Sequence, residues 1–169
     1  MILICTLLFA IAAQDFKERA VVSILFPVLF FLIGIYVVLK NGLQITLLQT
    51  VLNLVLILFF SVSLFLIYGI REKSFKRIIN KKLGMGDLVF WASVTPLFSV
   101  LNFVLWFISS LVFTLIAYLC FTLIYKQKKD EFKIPLAGFQ ALFLAAMLII
   151  NERFFHWNFS VDIVSLIST

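Results

Sequence analysis

Two aspartates stand out in a chain that carries little charge. Asp15 ends the first apolar run, and Asp87 closes the stretch Gly84-Met85-Gly86-Asp87. Ionisable side chains at membrane depth are costly and mark functional sites by default. Two carboxylates held close together cannot both ionise cheaply, so they share a proton. The ionised member can then deprotonate a water held between them while the protonated member polarises a carbonyl, which is the acid–base chemistry of peptide-bond hydrolysis. Glycines ahead of Asp87 remove side-chain bulk, so Gly84 and Gly86 are candidate points of close backbone approach by a substrate or a neighbouring helix. Each aspartate alone also has a structural reading. Asp15 and Arg19 are spaced for an i,i+4 ion pair, and Asp87 sits where a helix N-cap is expected.

The elements that must position this pair are apolar helices. Of the 169 residues, 64% are hydrophobic and 13% charged, against roughly 25% charged in an ordinary soluble domain. A water-soluble fold of this size has no interior large enough for that surface, so the bilayer is expected to serve as solvent. The run from Met1 to Gln14 lacks a preceding basic residue and is followed by Lys17 and Arg19, the reverse of a secretory signal, and is expected to be a mature first span. Charge-free runs place further spans at Ala20–Leu39, within Asn41–Ile70 after a turn at Asn41-Gly42, and at Ile134–Ile150, with Pro135 in its first turn. The run Leu88–Tyr125 would be about 57 Å long as one helix, roughly twice the hydrocarbon thickness, so two spans are expected with a turn near Pro96–Asn102.

Basic residues orient these spans. Twelve of the fourteen lie in three segments: Lys17 and Arg19, then Arg71–Leu83, then Lys126–Lys133. The positive-inside tendency puts all three in the cytoplasm, which requires an even number of crossings between them. The expectation is an all-α bundle of six transmembrane helices forming a single domain over residues 1–169, with both termini outside. The tail Asn151–Thr169, with Phe154, Phe155 and Trp157, would lie at the outer interface. In this arrangement Asp15 and Asp87 share one depth on the cytoplasmic face, a coincidence that hydropathy does not require.

These residues resemble a known family. Gly84-Met85-Gly86-Asp87 is similar to the Gly-x-Gly-Asp motif of intramembrane aspartic proteases. Asp15-Phe16-Lys17-Glu18-Arg19 resembles the first-aspartate segment of type IV prepilin and archaeal preflagellin peptidases, in which Arg follows Asp by four. Ile134-Pro135-Leu136-Ala137-Gly138-Phe139 resembles the Ile-Pro start of their last helix. The matches occur in the family's order across nearly the whole chain. The resemblance implies that Asp15 and Asp87 form a catalytic dyad that cleaves basic leaders from pilin-like precursors at the cytoplasmic membrane face, with the precursor's hydrophobic helix left in the bilayer. The chain departs from the pattern at Ala20-Val21, where Ile-Pro is usual, and at Val89, where a polar residue is common; both bear on leader specificity. It also lacks the cytosolic Cys-x-x-Cys region of longer bifunctional enzymes. A presenilin-like protease fits less closely, because Gln14 precedes the first aspartate and the last span reads Pro135-Leu136-Ala137. A non-enzymatic membrane scaffold is the remaining alternative.

The other polar residues have simpler expected roles. Asn53 and Gln140, inside spans, are expected to hydrogen-bond between helices, and Gly138 to permit close packing. His156 is the only histidine, and Cys5 and Cys120 have no metal-ligand spacing, so no metal or other cofactor is expected. The net charge of +6 is explained by topology rather than by nucleic acid, and the expected partners are the lipid bilayer and a pilin-like precursor.

Overall fold

A computed structural model of the chain describes residues 1–18, 21–72, 84–125 and 135–162. Arg19, Ile134 and the basic segments beyond Glu72 and Tyr125 lie outside them, so the expected Asp15–Arg19 pair does too. The described residues form helices and no strand: α1 (Ile2–Glu18), α2 (Leu25–Asn41), α3 (Leu43–Glu72), α4 (Met85–Val94), α5 (Val100–Tyr125) and α6 (Leu136–Ile150). A 3-10 turn, Thr95–Leu97, follows α4, and a π turn, Asn151–Phe155, follows α6. Three stretches are long and apolar enough to cross a membrane: Leu43–Leu64, Val100–Cys120 and Leu136–Phe155. Much of the outer surface is apolar, with Leu47, Leu48, Val51, Leu58 and Phe59 exposed along α3 and Leu105, Ile108, Val112 and Leu115 along α5. Lipid suits such a surface; water does not.

Local chemistry sets the helix ends. The second helix begins at Leu25 rather than Ala20 because Pro27 cannot donate a backbone hydrogen bond and is tolerated only in a first turn. Gly42, at φ 86°, turns the chain between α2 and α3 in a conformation that other residues rarely adopt. Pro135 is the N-cap of α6 rather than a first-turn residue.

The break expected near Pro96–Asn102 is present, but α4 is only 10 residues long, about 15 Å, half a bilayer. Phe90, Trp91, Ser93 and Val94 are buried, so the C-terminal half of α4 is packed among its neighbours, whereas Met85 and Val89 nearer its start are exposed. The carbonyls freed at the break are taken by α3: Asn53, fully buried, donates to Thr95 O at 3.0 Å and Phe98 O at 2.8 Å. Replacing Asn53 by Leu orphans both carbonyls. The expected cost is about 1–3 kcal/mol, read as a lowered unfolding midpoint of the purified protein.

The described part of the tail, up to Asp162, packs into the bundle. Phe154, Phe155 and Trp157 are exposed. The residues after them pack under the break: Phe159 O accepts from Ser99 N–H at 2.9 Å and from Asn102 Nδ2 at 2.8 Å, and Ser160 O accepts from Gln49 Nε2 at 2.6 Å. Asn158 Nδ2 donates to Asn41 Oδ1 at 2.6 Å. The tail therefore closes one end of the bundle. The residues flanking the three basic segments, Glu18, Glu72, Gly84, Tyr125 and Pro135, lie at the other end.

Candidate active site

Asp15 reaches its position through helical periodicity. The buried stripe of α1 is Ile4, Leu8, Ile11, Ala12 and Asp15, so the aspartate continues an apolar face instead of pointing outward. That face packs chiefly along α6, whose buried stripe is rich in small residues, Ala137, Gly138, Ala141 and Ala145, that allow close approach. Phe16 meets Phe139 edge-on, with ring centroids 4.8 Å apart. Asp15 is 9% exposed.

Asp87 lies in the first turn of α4, partly buried. The N-cap is Gly84, so Asp87 is not the cap residue that its place at a helix start suggested. Gly84 has another use. A Cβ there would stand 2.9 Å from Asp87 Oδ2, so the glycine leaves room for the carboxylate itself. Gly86 has nothing within 4 Å of an added Cβ, which leaves its side open to an approaching chain.

The two aspartates meet at the N-terminus of α6. The Ala137 N–H donates to Asp87 Oδ1 at 3.1 Å, and the Gly138 N–H donates to Asp15 Oδ2 at 2.6 Å. Adjacent backbone amides, among the four that a helix cannot bond internally, thus hold one carboxylate each. The helix dipole favours negative charge at that end. Asp15 also acts electrostatically on Asp87. Each carboxylate keeps its second oxygen, Asp15 Oδ1 and Asp87 Oδ2, outside these two bonds. Residues far apart in sequence are thus brought to one helix end.

Helix lengths give the depth of this point. Asn53 marks the level of the α4–α5 break on α3; Asp87 lies about 12 Å above that break and Glu72 about 28 Å above Asn53, so α3 runs about 16 Å past the aspartates. The bonds of Gln140 to Trp91 and Ser110 provide a second level, from which Asp87 lies about 6 Å above and Tyr125 about 22 Å, again a difference of about 16 Å. The carboxylates therefore sit below the ends of the two longest helices, α3 and α5, near the level at which α1 and α6 end.

Polar side chains beneath the pair connect the helices. Trp91 Nε1 donates to Gln140 Oε1 at 2.7 Å, and Gln140 Nε2 donates to Ser110 Oγ at 3.1 Å, so Gln140 bonds between helices as its place in an apolar span suggested. Sequence reasoning missed the amides of Ala137 and Gly138, because any residue type except proline supplies one. It also missed Trp91, which reads as one more aromatic. His156 is exposed and belongs to the opposite end with the tail. Among the described residues, no cluster of three or more His, Cys, Asp or Glu could hold a metal.

Comparison with protein families, with curated proteins and with solved structures returned no match.

Proposed function

We propose that the chain is a membrane-embedded aspartic endopeptidase that removes the leader from pilin-like precursors at the cytoplasmic face of the cell membrane. One observation carries this reading: Asp15 and Asp87, 72 positions apart in the chain, are held by consecutive amides of one helix end. An ion pair or an N-cap requires neither the convergence nor the burial. The resemblance of the Gly-x-Gly-Asp, Asp-x-x-x-Arg and Ile-Pro segments to prepilin peptidases supports the same activity and supplies the substrate class.

In this mechanism a water lies between the two carboxylates. The ionised aspartate accepts a proton from the water, whose oxygen attacks the scissile carbonyl carbon, while the other aspartate donates its proton to the carbonyl oxygen. Collapse of the tetrahedral diol breaks the C–N bond. A proton passes to the departing nitrogen, and the pair again holds one proton. The α6 amides orient both carboxylates throughout and have no need to move, the condition under which electrostatic preorganisation is most effective. No step calls for a metal or another cofactor.

The proposed topology is six helical passes, with the aspartate end of the bundle toward the cytoplasm and both termini outside. Its support is the charge asymmetry: the three segments holding twelve of the fourteen basic residues adjoin the aspartate end. A reporter fused after Thr169 is expected to register an extracytoplasmic location, and a cytoplasmic signal would remove this orientation.

The activity is tested by incubating purified protein in lipid with pilin-like precursors of the source organism. Shortening of a precursor by its leader is the expected result. Failure with every such precursor, alongside retained folding, would favour a scaffold.

A further inference from the structure

We propose that Trp91 and Gln140 are positioning residues for the aspartate pair: their buried bond fixes the register and rotation of α4 against α6, and so decides which backbone amide each carboxylate meets. This rests on the peptidase reading and assigns a role to side chains that do not touch the reacting atoms.

The two helices are joined by two rungs one turn apart. On α4, Asp87 and Trp91 are separated by four positions and share a face; on α6, Ala137 and Gln140 are separated by three and share a face. The upper rung is the Ala137 N–H on Asp87 Oδ1 at 3.1 Å. The lower is the Trp91 indole N–H on Gln140 Oε1 at 2.7 Å. Gln140 also donates to Ser110 Oγ at 3.1 Å, and Ser110 Oγ donates to Phe107 O at 2.9 Å, so the lower rung is anchored in α5. Trp91 packs edge-on against Phe107 with centroids 4.8 Å apart. Gln140 is fully buried and Trp91 is 3% exposed, so water does not compete for these groups.

Register needs such a device here. The surfaces around α4 are dominated by Phe, Leu, Val and Ala, whose contacts have little directionality. Asn53 anchors the break beyond the C-terminal end of α4, and the lower rung is the directional contact that holds the aspartate end of this 10-residue helix against sliding or rotation along α6. An interhelical hydrogen bond has one geometry. Without the lower rung, α4 can shift against α6 while the bundle remains assembled. A displacement near 1 Å at a reacting group costs about 10²-fold in rate.

The test compares kcat and KM for a pilin-like precursor, per folded molecule in lipid, across Gln140→Met, Gln140→Glu, Trp91→Phe, the Trp91→Phe/Gln140→Met double variant and Asp87→Asn. Gln140→Met removes both bonds at similar volume and is expected to lower kcat by about 10- to 100-fold with KM within about twofold. Gln140→Glu, as the neutral acid, keeps an acceptor for the indole and an O–H donor for Ser110, and is expected to recover most of the loss. The double variant is expected to be no worse than the poorer single one, because the one bond that Trp91→Phe removes is already lost in Gln140→Met. Trp91→Phe keeps an aromatic ring and carries the test if Gln140→Met does not accumulate. Normal kcat in Trp91→Phe, additive losses, or a Gln140→Glu variant no better than Gln140→Met would each overturn the proposal. Asp87→Asn separates the two readings: an inactive Asp87→Asn beside a normal Trp91→Phe removes only the positioning role, whereas an active Asp87→Asn removes the peptidase reading itself.

Discussion

Asp15→Asn and Asp87→Asn are each expected to abolish precursor cleavage, by about 10³-fold or more in kcat, while the protein still folds and inserts. Asparagine matches aspartate in shape and keeps one oxygen to accept from the α6 amides, so the Gly138 and Ala137 N–H groups stay satisfied. What it lacks is the ability to take a proton from water or to hold the shared one. The double variant is expected to be no slower than either single variant, since the two carboxylates act as a unit. The measurement is leader removal per folded molecule, with the folded fraction taken from unfolding midpoints. The ion-pair and N-cap readings predict the reverse pattern, a modest loss of stability with near-normal turnover. Substantial cleavage by either single variant would eliminate the dyad.

Gly138→Ala is expected to show the next largest effect. The added Cβ would stand 3.0 Å from Asp15 Oδ2, 3.2 Å from Asp15 Cβ and 3.4 Å from Phe16 Cε2. A carboxylate oxygen can rotate away, but Cβ is fixed to the backbone of α1, so α1 and α6 must separate by a few tenths of an ångström. Overpacking of this kind costs about 1–3 kcal/mol, and the displaced Asp15 loses the geometry of its 2.6 Å bond to the Gly138 amide. The expected outcome is a lower unfolding midpoint together with a kcat reduced by about 10- to 100-fold. Gly84→Ala should separate these two effects. Its backbone, at φ −70° and ψ 131°, accepts any residue, and the close atom is only the tip of Asp87. Stability should hold while kcat falls about tenfold, the cost of turning one carboxylate. Gly86→Ala meets no atom within 4 Å, so any loss of activity there would come from the approaching substrate and would appear in KM. Equal stability and equal activity across all three alanine variants would show that the close approaches at Gly84 and Gly138 do not control the site.

The sequence by itself determined the materials of this protein. Apolar runs too long for a soluble core called for helices, Gly42 and Pro96 marked where the chain must break, and Asn53 and Gln140 were legible as interhelical bonding groups because a lone amide in an apolar run has few other partners. The aspartates were legible for the same reason, since a carboxylate at the end of an apolar stretch is costly. Asp15 even falls on the buried stripe Ile4, Leu8, Ile11, so its inward direction follows from the helical repeat. Only the tertiary structure decided how the site is held. Backbone amides have no residue-type signature, so nothing in Ala137 or Gly138 announced that each would receive a carboxylate. Hydropathy measures the length of an apolar run and not where it breaks, so α4 was expected to be a full span, and instead is a helix of 10 residues packed at its C-terminal half. Its shortness follows from Pro96 and from the two carbonyls, 42 and 45 positions away, to which Asn53 donates. The pairing of Trp91 with Gln140 likewise depends on the rotation of two helices about their own axes, which is set by packing between distant segments and leaves no trace in either segment alone.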